Sequence, residues 1–289
     1  MYFFNLLNVL YNTFYSLIFY KNKTVLNILE YNNNNNPTIY YTRLPEEYDT
    51  KILVYLSGVI EFKYTEYIDK TLQHMKKYNI PSFVYENTNK LMFLCVDDIS
   101  NFITFLSKKY IDKEIILLGF SAGGIIASHV VANLRNIKNI KRFITYDTPY
   151  SLDKVMKTFM NSYFRFDIFI SYYLHKVYLK LFKNVIHKFN YSFLDGYNFI
   201  YESSKYVLPT HNYYYKIMNM NFNLPYYIKM YSINSVKDPI ADYATNMKII
   251  NKNFHLIDFE IYNIDNKNIS HCSDMFYSDN SKLIIKCSF

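Results

Sequence analysis

The sequence predicts an α/β architecture, a mostly parallel sheet with helices packed on both faces. Three observations carry that prediction. Between Lys51 and Tyr146, short apolar runs alternate with stretches of helical period, the pattern of a parallel sheet built by crossover helices. A glycine-rich hexapeptide, Gly119-Phe120-Ser121-Ala122-Gly123-Gly124, stands between one such run and the helix pattern after it. The chain has 289 residues, of which 51% are hydrophobic and 20% aromatic. That is enough apolar material for one α/β domain with an insertion, and too much for a disordered chain.

The elements follow in chain order. Residues 1–20 carry no charge and precede Lys21 and Lys23. Their length matches a membrane span. Asn5, Asn8, Asn12 and Ser16 recur at steps of three and four, which puts one polar stripe on a helix and suits lipid badly. Three readings fit: a helix packed on the body, a helix lying on a membrane surface, and a signal anchor; the first two suit the stripe better. There is no basic start and no small-residue cleavage site of a secretory signal. An Asn-rich loop closes this first segment, 1–37.

Thr38–Leu44 is β-rich and pairs as a hairpin with Thr24–Leu29. Lys51–Leu56 reads as a buried strand ending in Ser57-Gly58-Val59. A helix pattern covers Tyr64–Tyr78, and Ile80–Tyr85 is the next strand. Asp97–Tyr110 reads as a helix with Ile99, Phe102, Ile103, Phe105 and Leu106 on one face. Glu114–Leu118 is a strand, Ile125–Ala132 a buried helix and Arg142–Tyr146 a strand. The alternation then breaks at Thr148-Pro149. Residues 151–224 are aromatic, basic and helical in pattern, an insertion between two sheet strands. Strand character returns at Tyr226–Ile233 and Asp258–Tyr262. The predicted core is therefore 38–150 with 225–289.

The hexapeptide is the chemical signal. The chain has 5 glycines, Gly58, Gly119, Gly123, Gly124 and Gly196, and three of them fall here. Strand, G-x-S-x-G, helix is the context of a nucleophile elbow. The serine sits on a sharp turn with its hydroxyl clear of the sheet. Gly119 and Gly123 leave room for strand and helix to approach. The helix N-terminus aims free N–H groups at the serine, which favours developing negative charge. The bland alternative is a turn whose serine caps the helix.

The formal net charge is +8, carried mostly by scattered lysines. No dense Lys/Arg run is present, so a solubilising surface fits better than a nucleic-acid site. Cys95, Cys272 and Cys287 are an odd, sparse set with no metal-ligand spacing, and they mildly favour a reducing compartment. Neither a metal nor another cofactor is expected. The protein is expected in the cytoplasm or at the periphery of a membrane.

With the elbow in place, the chain resembles the α/β-hydrolase fold, in its lipase, esterase and thioesterase branches. The resemblance covers roughly 38–150 and 225–289 and makes the insertion 151–224 a helical cap. It implies the order nucleophile, acid, histidine, with the acid after a late strand and the histidine after the last. Ser121 is then the nucleophile. Asp238, after Tyr226–Ile233, is the acid, and His271, after Asp258–Tyr262, is the base. The implied oxyanion donors are the backbone N–H groups of Ala122 and Val59, with Gly58 as the turn that exposes the second. Ser57-Gly58 departs from the family's usual His-Gly, which weakens the Val59 assignment and leaves the nucleophile untouched.

Rivals exist at each position. Asp147 follows the strand after the elbow strand, where some lipases of the family carry their acid; Pro239, a turn marker beside Asp238, favours the later site. Asp242 lies further into the next helix pattern. His255 precedes the last strand, His129 reads as a packed helix residue, and His74, His175, His187 and His211 lack strand-end context. Met218 and Met220 read as core. The resemblance implies a serine hydrolase of small-molecule or lipid esters or thioesters. A peptidase of the same fold and a non-catalytic binding member are the competing readings. The aromatic, basic insertion and residues 1–20 are the two segments suited to a membrane surface.

Overall fold

The computed structural model describes residues 23–31, 37–58, 66–86, 95–157 without 153 and 156, 218–265 without 239, 254, 256 and 257, and 281–289. Among the described residues, eight strands form one sheet: β1 (Asn27–Leu29), β2 (Thr38–Tyr41), β3 (Lys51–Leu56), β4 (Ser82–Glu86), β5 (Glu114–Phe120), β6 (Ile140–Tyr146), β7 (Lys229–Ser235) and β8 (Asp258–Ile264). Their spatial order is β1-β2-β4-β3-β5-β6-β7-β8. The β1–β2 and β2–β4 pairs are antiparallel and every other pair is parallel. Among the described residues, five helices accompany the sheet: α1 (Glu66–Lys77), α2 (Val96–Lys109), α3 (Ala122–Asn133), α4 (Tyr243–Asn253) and α5 (Ser281–Ser288).

Period-two side-chain alternation explains why the apolar runs are continuous. On β3, Ile52, Val54 and Leu56 face one layer while Leu53 and Tyr55 face the other. On β5, Ile115 and Leu117 oppose Ile116, Leu118 and Phe120. A strand covered on both faces needs apolar residues at every position. One layer is built from α2, α3 and α4, and the other from α1 and α5. Helix α3 is buried from Ala122 through Val131, as its lack of a polar face requires.

The α/β prediction, the hairpin of β1 with β2 and the strands up to β6 agree with the sequence reading. Strand β7 begins three residues later than predicted and runs on to Ser235, and Tyr226 is 89% exposed ahead of it. The Tyr226-Tyr227 turn breaks the strand pattern before Lys229. Helix α5 was not foreseen; it buries Ile284, Ile285 and Cys287 beside α1. Cys95 and Cys287 are buried, and burial pushes the Cys287 thiol up to about 12. Met218 and Met220 lie in the core, as read.

The insertion leaves and returns through one neck. Ser151 and Asn219 form an antiparallel bridge, with Leu152 N–H donating to Met218 O (2.9 Å) and Met220 N–H to Tyr150 O (3.0 Å). From Met218 to Ile228 the chain carries neither helix nor strand apart from that bridge, and it packs along α3. There Ser128 Oγ accepts from Asn221 N–H (2.9 Å), and His129 Nε2 lies 2.9 Å from Asn219 O. Residues 1–22 and 158–217, which hold the predicted N-terminal helix and most of the predicted cap, lie outside the described residues. Among the described residues, no helix is long and apolar enough to cross a membrane.

One ion pair supports the opposite edge. Arg43 donates to both Asp49 oxygens, at 2.6 and 2.5 Å, and to Asn79 O at 2.5 Å. The Asp49 side chain is 4% exposed, and its hydrogen bond to Arg43 holds its carboxyl below the usual range. A depressed carboxyl stabilises the fold above the unfolded value of about 4 and loses that contribution as pH falls through the folded one. Asp49→Asn is therefore expected to cost about 1–3 kcal/mol at neutral pH in urea unfolding, with the deficit shrinking below pH ~4. A deficit unchanged down to pH ~2 would contradict the ionic origin.

Candidate active site

Strands β3 and β5 through β8 are parallel, so their C-terminal ends share one edge of the sheet. Ser121 stands there, between the last residue of β5 and the first of α3. Its backbone has φ 50 and ψ −132, a conformation that a residue with a Cβ rarely adopts. Such strain costs on the order of 1–3 kcal/mol and persists only where the surroundings impose it. Here they do: Ser121 N–H donates to Tyr146 O of the neighbouring strand (2.9 Å), and Gly124 N–H closes the turn on Ser121 O (3.1 Å). The Ser121 side chain makes no capping bond to α3, and the residue is half-buried. The bland reading of a capping serine therefore fails.

The glycines are explained by contact distances rather than by flexibility. A Cβ on Gly119 would lie 2.4 Å from Gly124 N. One on Gly123 would lie 2.2 Å from Leu56 O, and one on Gly124 would lie 2.1 Å from Thr148 Oγ1. The first turn of α3 is thus pressed against the end of β5, the end of β3 and the loop after β6 at once. Gly58 is buried two residues past β3, beside this turn; Val59 lies outside the described residues. Beneath the elbow, on the far face of the sheet, the rings of Tyr55, Phe120 and Tyr146 stack at centroid distances of 5.2 and 4.9 Å. They brace the last residues of three strands.

Both candidate acids sit on the same edge. Asp147 follows β6 with φ 43 and no exposure. Its N–H donates to Ile233 O (2.9 Å); its Oδ1 accepts from Ser235 N–H (2.7 Å) and its Oδ2 from Ser235 Oγ (2.9 Å). The carboxylate laces the end of β6 to the end of β7. Asp238 lies three residues past β7 and is 5% exposed. Its Oδ1 accepts from Ile240 N–H (2.7 Å) and Ala241 N–H (3.0 Å), so the turn before α4 orients the carboxyl. His271, the predicted base, lies outside the described residues. His129 is buried at the neck, as a packed helix residue would be, and His255 is exposed before β8.

A polar network that sequence reasoning missed supports these loops. Asn246 of α4 is buried; its Oδ1 accepts from Tyr150 N–H (3.0 Å) and its Nδ2 donates to Thr148 O (2.8 Å). Tyr150 OH donates to Ser232 Oγ of β7 at 2.5 Å, and burial pushes this phenol up to about 12, so it stays neutral. An asparagine on a half-polar helix gave only a weak signal, since its partners lie about a hundred residues earlier. Among the described residues, no cluster of His, Cys, Asp and Glu could hold a metal ion.

The sheet order, the elbow and the flanking helices define an α/β-hydrolase fold. No family model matches the sequence, and neither does any curated protein. Solved structures match over almost the whole chain. The esterase Pf2001 of Pyrococcus furiosus superposes with a TM-score of 0.58 at 14% identity, over 91% of this chain and 89% of its own. A thermostable carboxyl esterase of Bacillus coagulans gives 0.56 at 13% identity, over 91% and 97%. Mouse alpha/beta hydrolase domain-containing protein 10 gives 0.53 at 14%, over 91% and 96%. At these identities the likeness establishes the fold.

Proposed function

We propose that the protein is a serine hydrolase that cleaves a carboxylic ester through an acyl-enzyme on Ser121. The observation that carries this reading is the Ser121 backbone, held at φ 50 between β5 and α3 with its hydroxyl not spent on a helix cap. Strain of that kind, held by the backbone bonds of Ser121 N–H to Tyr146 O and of Gly124 N–H to Ser121 O, fits a side chain that must stand clear of the sheet.

The chemistry assigns the other roles. His271 takes the Ser121 proton as Oγ attacks the ester carbonyl. The oxyanion forms against the N–H groups of Ala122 and Val59, at the positive end of α3. Collapse expels the alcohol, which receives its proton from His271. Water then attacks the acyl-enzyme by the same route and releases the acid. Asp238 orients the imidazole. Its place in the turn after β7, where Ile240 and Ala241 N–H orient the carboxyl through Oδ1, supports this choice over Asp147 at the end of β6.

The substrate is expected to carry an apolar acyl chain. The insertion holds Phe164, Phe166, Phe169, Tyr172 and Tyr173 in a helix pattern that cannot hide every ring on one face, with Lys176, Lys180 and Lys183 following. Its neck opens from the loop after β6, at the edge where open α/β sheets bind ligands. Rates on p-nitrophenyl esters of increasing chain length, with and without anionic vesicles, test this. Preference for long chains and activation by vesicles are expected. Fast turnover of acetyl esters without a vesicle effect would favour a small-ester or peptidase reading, and no turnover at all a binding protein.

A further inference from the structure

A pocket of about 730 Å3 opens beside the neck of the insertion, and neither Ser121 nor either candidate acid lines it. Lys248 and Lys252 approach it from α4, one turn apart on the same helix face. Lys154, just past the outgoing side of the neck, contributes a third ammonium. Apolar surface lies beside them: Phe222 and Ile249 are half-buried in the wall, and Phe222 meets the Tyr150 ring edge-on at 5.7 Å.

The charges of Lys248 and Lys252 are unbalanced at this spot. Lys229 and Lys237, elsewhere on the surface, pair with Glu260 and Asp265. Among the described residues, Lys248 and Lys252 have no acidic partner, and both are exposed. Like charges one turn apart on a helix repel, and a bound anion relieves that repulsion. A concave opening focuses the field more than a flat lysine patch does. Three ammonium groups next to an apolar wall suit a ligand with an anionic head and a short apolar body.

We infer that this pocket binds a phosphate ester, its phosphate among Lys154, Lys248 and Lys252 and its apolar portion on Phe222 and Ile249. The phosphate comes from a lipid headgroup or from a soluble organic phosphate; the recognition is the same. The site is independent of the hydrolase reading, because it uses none of the residues assigned to that reaction.

Calorimetric titration of the full chain tests it with three probes: inorganic phosphate, dihexanoyl phosphatidic acid, and phosphatidylcholine vesicles containing about one-fifth phosphatidic acid. The protein is expected to bind at least one with a Kd of about 1 mM or tighter, and Lys248→Glu with Lys252→Glu to weaken binding about tenfold or more. Both lysines are exposed, so the double variant keeps its fold, which circular dichroism checks. Phe222→Ser is expected to weaken the phosphatidic acid probes and to spare inorganic phosphate. Binding of inorganic phosphate or of dispersed dihexanoyl phosphatidic acid shows that a soluble phosphate ester suffices, and binding of vesicles alone identifies a membrane headgroup. No probe bound with a Kd of about 1 mM or tighter, or binding that survives charge reversal, overturns the proposal. Labelling of Ser121 by a fluorophosphonate is expected to be unchanged in the double variant, so failure here is distinguishable from failure of the hydrolase reading.

Discussion

Ser121→Ala is expected to lower kcat on a cleavable ester by roughly a thousandfold to a millionfold, with little change in melting temperature. Removing the hydroxyl removes the acyl-enzyme route altogether, leaving only what the oxyanion donors and substrate positioning supply. The fold should lose little, because the side chain makes no cap bond to α3 and the strain resides in the backbone. The acids separate on the same assay. Asp238→Asn is expected to cost kcat nearly as much as loss of the base, on the order of a hundredfold to ten-thousandfold. Asp147→Asn should instead lower stability, by about 1–3 kcal/mol, because a buried carboxylate that accepts from Ser235 N–H and Oγ is replaced by an amide. A larger kcat loss for Asp147→Asn than for Asp238→Asn would move the acid to the end of β6.

Gly123→Ala is expected to have the largest structural effect. Its Cβ would meet Leu56 O at 2.2 Å, Ser57 O at 2.7 Å and Ser57 C at 2.9 Å. All three are backbone atoms at the end of β3, so no rotamer change relieves the clash. The N-terminus of α3 must then move away from β3 and carry Ser121 with it. A loss of about 3 kcal/mol or more in urea unfolding is expected, together with loss of esterase activity in whatever fraction still folds. Unchanged stability and activity would mean that α3 and β3 are not in contact there.

The sheet was legible in the sequence because burial on both faces writes an unbroken apolar run, as in Ile52 to Leu56 and Ile115 to Leu118. Its order was not, since β3 lying between β4 and β5 depends on crossovers that leave no local signal. The elbow was legible because glycines are scarce in this chain and each here answers to a contact under 3 Å. Asp147 was weighed only by position; its φ of 43 and its bonds to Ser235 are long-range facts that spacing cannot carry. The same holds for the neck, where Ser128 and His129 meet residues some ninety positions later. Helix α5 was missed because eight residues ending the chain, with lysines and serines among the apolar ones, give too short a periodic signal.

Whether Ser121 is a nucleophile is open to one measurement that assumes no substrate. The wild-type chain is treated with a fluorophosphonate, digested and mapped by mass spectrometry. A single phosphonyl adduct on the peptide that carries Gly119-Phe120-Ser121-Ala122-Gly123-Gly124, assigned by fragmentation to Ser121, is the expected result. A folded protein that takes up no adduct, or one modified at another residue instead, would contradict it.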